Sequence, residues 1–346
     1  MHSRKDIILV TDYHAQNTEV RWFHCGTGEE RRLNIATTRS GLLRLAEQAT
    51  LQAAPMGGQV IWIMESTTGW ARVKSLLGSK VHFLMANVLQ MPLPPKAYRR
   101  KSDKIDTGRL LREYLNGSLP LSYQPPAWWR QVRRLVDSRQ DLVERQTAVK
   151  NWITHFLRHE TWQEQRNWWS KTGMNYLRGV ELPANDRLVL DLKLQQLEHL
   201  DEVRARIEAA MQAVYDQWPA AQRVDAVRGI GMVTAVSVLA HIGPIERFGS
   251  AEELVSYAGL APAHRQSDQT RHHGRIGGGG TDSHLRYLLI ESMQWVCQIP
   301  RYREAFERAL DKHGTNIARI IVARMLLRSI FKMLRHRVAF NPVQVA

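Results

Sequence analysis

Short apolar runs punctuated by turn residues open the chain. Ile7-Ile8-Leu9-Val10 runs up to Asp12, and Val20-Arg21-Trp22-Phe23-His24-Cys25 ends at Gly26-Thr27-Gly28, with Arg31-Arg32-Leu33-Asn34-Ile35 beyond. Three strands in an antiparallel meander fit this pattern of apolar runs and turn signals. Ser40 then reads as the cap of a helix over 41–50, with leucines at 42, 43 and 45. Continuous apolar runs at 60–64 and 81–85 have strand length, and Glu65 closes the first. Between them the pattern predicts a helix over 70–77. Strands interleaved with helices predict an α/β domain on a mixed sheet.

The period then lengthens. Prolines at 92–95 break the pattern, and Pro120, Pro125 and Pro126 mark a boundary. Over 128–170, Val132, Leu135, Leu142, Val149, Ile153 and Phe156 recur at helical spacings of three, four and seven. Between Pro183 and Pro219, Leu190, Leu194, Leu197, Leu200, Val203, Ile207, Ala210, Val214 and Trp218 form a heptad-like repeat with no Gly or Pro inside. Such a helix extends about 50 Å. Two seams of this kind leave open a helical hairpin, an ordinary bundle or an intermolecular coiled coil. In the last third, Gly229-Ile230-Gly231 precedes an apolar helix over 233–241, like half of a helix-hairpin-helix. A loop rich in Gly, Ser, Arg and His spans 261–284, and a final helix covers 316–335. The expected division is an α/β domain at 1–125, a helical coiled-coil arm at 126–220 and a helical C-terminal domain at 221–346.

Composition narrows the class. Apolar residues make up 44% of the 346, enough for packed cores. No run of about 18 apolar residues is present, so no membrane helix is expected. Asp12 interrupts the first apolar stretch too early for a secretory signal, and a cytoplasmic location is expected. Cys25 and Cys297 lack zinc-ligand spacing, and His272-His273 reads as a solvated pair, so neither disulfides nor a zinc site are expected. Charge changes the picture more. Lys and Arg number 48 against 33 Asp and Glu, a formal +15, which calls for a polyanionic partner. The excess is clustered: seven basic residues fall in 96–112, including Lys96, Arg99, Arg100 and Lys101. Arg324, Arg328, Lys332 and Arg335 follow at helical steps near the C-terminus, where no acid comes after Asp311. These residues are candidate contacts to nucleic-acid backbones.

Four acids stand out against this basic background. Asp12 and Glu65 close predicted strands, where α/β folds build sites. Asp103 and Asp106 are three apart, on one face if helical. Oxygen-only donors suit Mg²⁺ or Mn²⁺. A pair of such ions serves phosphodiester cleavage. Taken singly, each acid is more commonly a turn, cap or salt-bridge residue; the combination describes a nuclease site of RNase-H type.

These residues resemble the insertion-sequence 110 transposases, a family that includes Piv-type DNA invertases. Asp12, Met64-Glu65-Ser66-Thr67-Thr68-Gly69-Trp70 and Lys101-Ser102-Asp103-Lys104-Ile105-Asp106-Thr107 are similar to its RuvC-like Asp–Glu–Asp–Asp pattern. Gly229-Ile230-Gly231, Tyr257-Ala258-Gly259-Leu260-Ala261-Pro262, Gly274-Arg275-Ile276 and Leu285-Arg286 are similar to its C-terminal transposase domain. The resemblance implies a RuvC-like catalytic domain and a serine nucleophile at Ser267, in the loop after Gly-Leu-x-Pro. Asp268 stands here where the family usually has glycine. The resemblance also implies a phosphoserine link to DNA, target and donor DNA as substrates, a guide (bridge) RNA, and a homo-oligomer, dimer or tetramer. From the residues alone Ser283 or Thr270 is as plausible as Ser267. Two other readings stay open: a metal-dependent nuclease or resolvase using water, and a non-catalytic nucleic-acid-binding protein.

Overall fold

The computed structural model describes residues 3–91, 103–160, 167–261, 264–267, 270–273 and 281–341, with the backbone alone at 103–106, 160, 264–267 and 270–273. The chain divides into two compact units, 1–124 and 125–346.

In the first unit, β1 (Ile7–Tyr13), β2 (Asn17–His24) and β3 (Glu30–Ala36) form the antiparallel meander. Helix α1 (Arg39–Ala53) follows; Thr38, not Ser40, caps it by accepting the Gly41 amide at 3.0 Å. Strand β4 (Val60–Glu65) pairs parallel with β1, α2 (Trp70–Leu77) crosses over, and β5 (His82–Ala86) pairs parallel with β4. Helix α3 (Asp103–Leu115) closes the unit. The sheet order is β3-β2-β1-β4-β5, a mixed sheet.

Both faces of the sheet are covered, which is why β1 and β4 read as unbroken apolar runs. Ile7, Leu9, Val60, Trp62 and Met64 pack with Leu42, Leu45, Val73 and Leu77 on one face. Ile8, Val10, Ile61 and Ile63 pack with Leu110 and Leu111 of α3 on the other. The buried Trp62 indole N–H donates to the Thr11 hydroxyl at 2.9 Å, and Thr11 donates to the Ile63 carbonyl at 3.2 Å. This bridge ties β1 to β4 in a single register.

The second unit is almost wholly helical. Helix α4 (Ala127–Glu160) is shorter than expected: residues 167–170 form a turn, and Ser170 caps a separate helix, α5 (Lys171–Gly179), by accepting the Gly173 amide at 3.1 Å. Helix α6 (Ala184–Asp216) returns antiparallel to α4, pairing Arg139 with Glu208 at 2.7 Å and Gln146 with Asp201 at 2.7 Å. Leu190, Leu194, Leu197 and Leu200 pack on Leu142, Val149, Ile153 and Leu157 of the same chain, so the heptad seam closes an intramolecular hairpin. Near the hairpin's other end, Val132, Val136, Met211 and Trp218 join a larger core with the helices that follow.

Those helices are α7 (Pro219–Asp225), α8 (Met232–Ile242) and α9 (Ala251–Tyr257). After them come strands β6 (His264–Ser267) and β7 (Thr270–His273), then α10 (Ser283–Glu291), α11 (Met293–Val296), α12 (Pro300–His313) and α13 (Thr315–His336). The expected loop at 261–284 thus contains a two-stranded hairpin, which polar His-Arg-Gln-Ser and Thr-Arg-His-His segments do not announce. No helix among the described residues is long and apolar enough to cross a membrane.

The α7–α8 turn depends on Gly229. Its φ is +92°, and a Cβ there would stand 2.4 Å from Trp295 Cβ and 3.1 Å from the Val296 amide nitrogen. Gly229→Ala combines backbone strain with overpacking against main chain, and is expected to cost about 2–4 kcal/mol. Denaturant unfolding checks this; a loss below about 0.5 kcal/mol would show that the turn relaxes.

Candidate active site

Strand register brings the first two acids together. Ile8 lies beside Ile61 and Val10 beside Ile63, all facing α3. Side chains alternate, so Asp12 and Glu65 fall on that same face, next to one another at the C-terminal ends of adjacent parallel strands. Both are half-buried. Gly69 (φ +103°), which caps α2, lies against Tyr13: a Cβ there would be 2.7 Å from the ring, so the β4–α2 turn closes tightly over the end of β1.

The first turn of α3 reaches the same end. Arg21 of β2 lies opposite Val10 and donates to the Thr107 hydroxyl at 3.4 Å. At the other end of α3, Tyr114 lies within electrostatic reach of Asp6 and Cys25, beside the start of β1. The helix therefore runs antiparallel to β1. From the level of Thr107, Asp103 lies about 6 Å further along the helix axis, and Asp12 about 6.6 Å further along its strand than Val10. The backbone at Asp103 thus stands at the level where Asp12 and Glu65 emerge, with Asp106 about 4.5 Å nearer Thr107 along the axis.

Three further polar residues share this neighbourhood. His14 Nε2 is 3.3 Å from an Asp12 carboxylate oxygen. Glu19 pairs with Asp12 across β1 and β2 and accepts from Asn34 Nδ2 at 2.6 Å. Arg21 is buried, ion-paired with Glu30, and holds α3 to the sheet through Thr107. Sequence reading passed over all three, although alternation along 19, 21 and 23 places Glu19 and Arg21 on the acid face once the meander is accepted. Carboxylate oxygens at two adjoining strand ends, with a helix bearing two more acids beginning at the same level, fit a hard divalent cation by donor chemistry.

In the second unit the chain anchors both ends of the 262–280 segment. The Asp282 amide donates to the Tyr257 carbonyl at 2.8 Å, and Arg286 reaches the Gly259 carbonyl at 3.4 Å. Arg324 donates to the Leu260 carbonyl. Gly259 (φ +65°) has no room for a side chain, since a Cβ would meet Arg286 Nη1 at 2.6 Å and Thr281 Oγ1 at 2.8 Å. Between these anchors Ser267, the last residue of β6, pairs with Thr270, the first of β7.

Comparison with known proteins matches both units. Residues 11–160 fit the DEDD-type IS110 model described as Transposase, and residues 221–308 fit the Transposase IS116/IS110/IS902 family. The chain belongs to the IS110 transposase family.

The transposase-type protein y4qE of Sinorhizobium fredii is 27% identical over 86% of this chain and 70% of its own length. The transposase for insertion sequence element IS1111A of Coxiella burnetii is 26% identical over 50% of this chain and 49% of its own. The pilin gene-inverting protein of Moraxella bovis is 32% identical over 33% and 37% respectively. For the last two, the match spans half of the relative or less.

The basic candidates divide. Lys96, Arg99, Arg100 and Lys101 lie outside the described residues. Arg324 is turned inward on the Leu260 carbonyl, and burial lowers its pKa. Arg328 pairs with Glu252 at 2.8 Å, and Lys332 is exposed on α13. Of the three described, Arg324 is thus engaged in holding the 262–280 segment's base, while Arg328 and Lys332 lie nearer solvent.

Proposed function

We propose that this chain is a site-specific DNA recombinase of a mobile element, with a RuvC-like N-terminal domain and a nucleophilic serine in its C-terminal domain. The observation that carries the reading is the shared face of Asp12 and Glu65 at adjoining strand ends, with α3 beginning at Asp103 at the same level. In this reading Asp12, Glu65, Asp103 and Asp106 hold Mg²⁺ or Mn²⁺. Bound there, the cation supplies Lewis-acid stabilisation of charge on the scissile phosphate.

The chain's own groups carry the rest. The Ser267 oxygen attacks phosphorus; its bond to phosphorus forms as the bond to the departing DNA oxygen breaks, and the serine proton is carried to that oxygen, which leaves as a hydroxyl. Attack by a hydroxyl end of the second DNA reverses this, releasing Ser267 and joining the new strands. His14, in contact with Asp12, orients that carboxylate. Arg328, Lys332 and the basic stretch at 96–101 hold phosphate backbones, and amides at the start of α8, after Gly231, offer further donors. The substrates are target and donor DNA. Base pairing with a guide (bridge) RNA supplies sequence choice, and the α4–α6 arm belongs to a protomer that works as a dimer or tetramer.

The test is incubation with supercoiled DNA carrying the element junction and its target, with RNA recovered from the expressed protein. Cleaved and rejoined products are expected with Mg²⁺ and absent with EDTA. Products undiminished by EDTA would refute the carboxylate site. No products under either condition would favour a binding protein.

A further inference from the structure

We infer that a second metal site, of zinc type, is built from Asp137, His241 and His284, which bring one carboxylate and two imidazoles from α4, α8 and α10 to a single point. A ligand atom from each lies within 4.8 Å of the other two, the one such His/Cys/Asp/Glu group among the described residues. The acids of the first unit offer only oxygen; this set offers nitrogen as well, the donor mix that zinc and its neighbours prefer.

The observation that points to a ligand is His241. Its side chain is 6% exposed, and its Nε2 is buried without a hydrogen-bond partner. That nitrogen is aimed at the Asp137 carboxylate, 3.7 Å away, beyond hydrogen-bonding reach. Leaving a buried ring nitrogen unpaired costs about 1–3 kcal/mol, so such an atom calls for an occupant.

The other face of the ring is prepared in the way metal-binding histidines are. His241 Nδ1 is 2.8 Å from an Asp282 carboxylate oxygen. Asp282 is itself held by the Leu285 amide at 2.9 Å, and the one Tyr257 hydroxyl proton lies between the Asp282 carboxylate, at 3.2 Å, and the His241 carbonyl, at 3.1 Å. A carboxylate on Nδ1 fixes the proton there and presents the Nε2 lone pair to an ion, the carboxylate–histidine–metal arrangement. Asp282 is thus a positioning residue and His241 the central ligand.

The geometry needs only a small closure. Ligand atoms about 2.0 Å from zinc in a tetrahedron sit about 3.3 Å apart, close to the 3.7 Å between His241 and Asp137. His284 stacks on His241 with centroids 4.6 Å apart and planes 9° from parallel, so its ring must rotate to aim its nitrogen at the same ion. It is half-buried and lines a cavity of about 500 Å³ with Glu144, Thr147 and Tyr287, which leaves room for that turn and for a water as fourth ligand. An ion here would clip α10, which follows the Ser267 segment, to α8 and to the root of the α4–α6 hairpin.

The test uses the full chain, stripped with chelator and then titrated with Zn²⁺ by calorimetry in excess Mg²⁺, and with Co²⁺ by visible absorption. One Zn²⁺ per chain is expected, with the intense bands of four-coordinate Co²⁺. His284→Gln and Asp137→Asn, both at partly exposed positions, are expected to weaken binding at least about tenfold, and Asp282→Asn by about 10–100-fold. Melting in chelator shows that each variant folds. Asp12→Asn should bind Zn²⁺ unchanged, so this result does not depend on the carboxylate site. Equal affinity in parent, His284→Gln and Asp137→Asn, or no stoichiometric Zn²⁺ in folded parent, would overturn the site and leave His241 as a buried histidine between two aspartates.

Discussion

Asp12→Ala is expected to lower DNA strand exchange by about a thousandfold or more, the scale of losing several kcal/mol of charge stabilisation at the phosphate. Nucleic-acid binding should change little, because phosphate contacts come from basic side chains elsewhere and the salt dependence of affinity is theirs. Asp12 is suited to the experiment because its side chain is 17% exposed at the end of a strand, so its loss leaves the Ile7–Val10 core untouched. The substitution also frees His14 from its carboxylate partner. Exchange assays, filter binding and a melting curve on one preparation separate chemistry from folding. Exchange at the parent rate in the folded variant would remove Asp12 from any metal site.

Ser267→Ala is expected to abolish the protein–DNA adduct that survives SDS, and with it strand joining. The β6–β7 ladder is made by backbone groups, so alanine at 267 leaves the Ser267–Thr270 pairing available and should leave the fold intact. A cleavage chemistry that uses water forms no such adduct in the parent chain and is indifferent to this hydroxyl. The trapping gel therefore distinguishes the two chemistries in a single comparison. An adduct of undiminished yield would move the nucleophile to another residue, with Thr270 and Ser283 the alternatives that the sequence offers.

Some of the site is legible in the sequence itself. Asp12 and Glu65 stand out because each interrupts an unbroken apolar run, and unbroken runs mark strands covered on both faces. The residues that surround them are not legible. Glu19 is an ordinary polar residue near a turn, and only pairing of β1 with β2 sets it beside Asp12, while His14, two positions on in the chain, gives no sign in sequence that its ring turns to that carboxylate. Arg324 shows the opposite failure: its spacing on α13 matches a phosphate-facing stripe, but its guanidinium folds back onto the Leu260 carbonyl. A helical period reports which face a residue occupies and not whether a neighbouring element covers that face.

From sequence alone, periodicity determined the mixed sheet, the two long helices and the ends of the first acid-bearing strands. These features are local: alternation of two, spacing near 3.6 and the placement of prolines act within a few residues of each other. Tertiary structure alone decided that the leucine seam of α6 closes on α4 of the same chain, and that Asp137, His241 and His284 converge. Those three lie 104 and 43 positions apart, with no spacing motif among them. They meet because α4, α8 and α10 pack around one apolar core, and packing depends on side chains far apart in the chain.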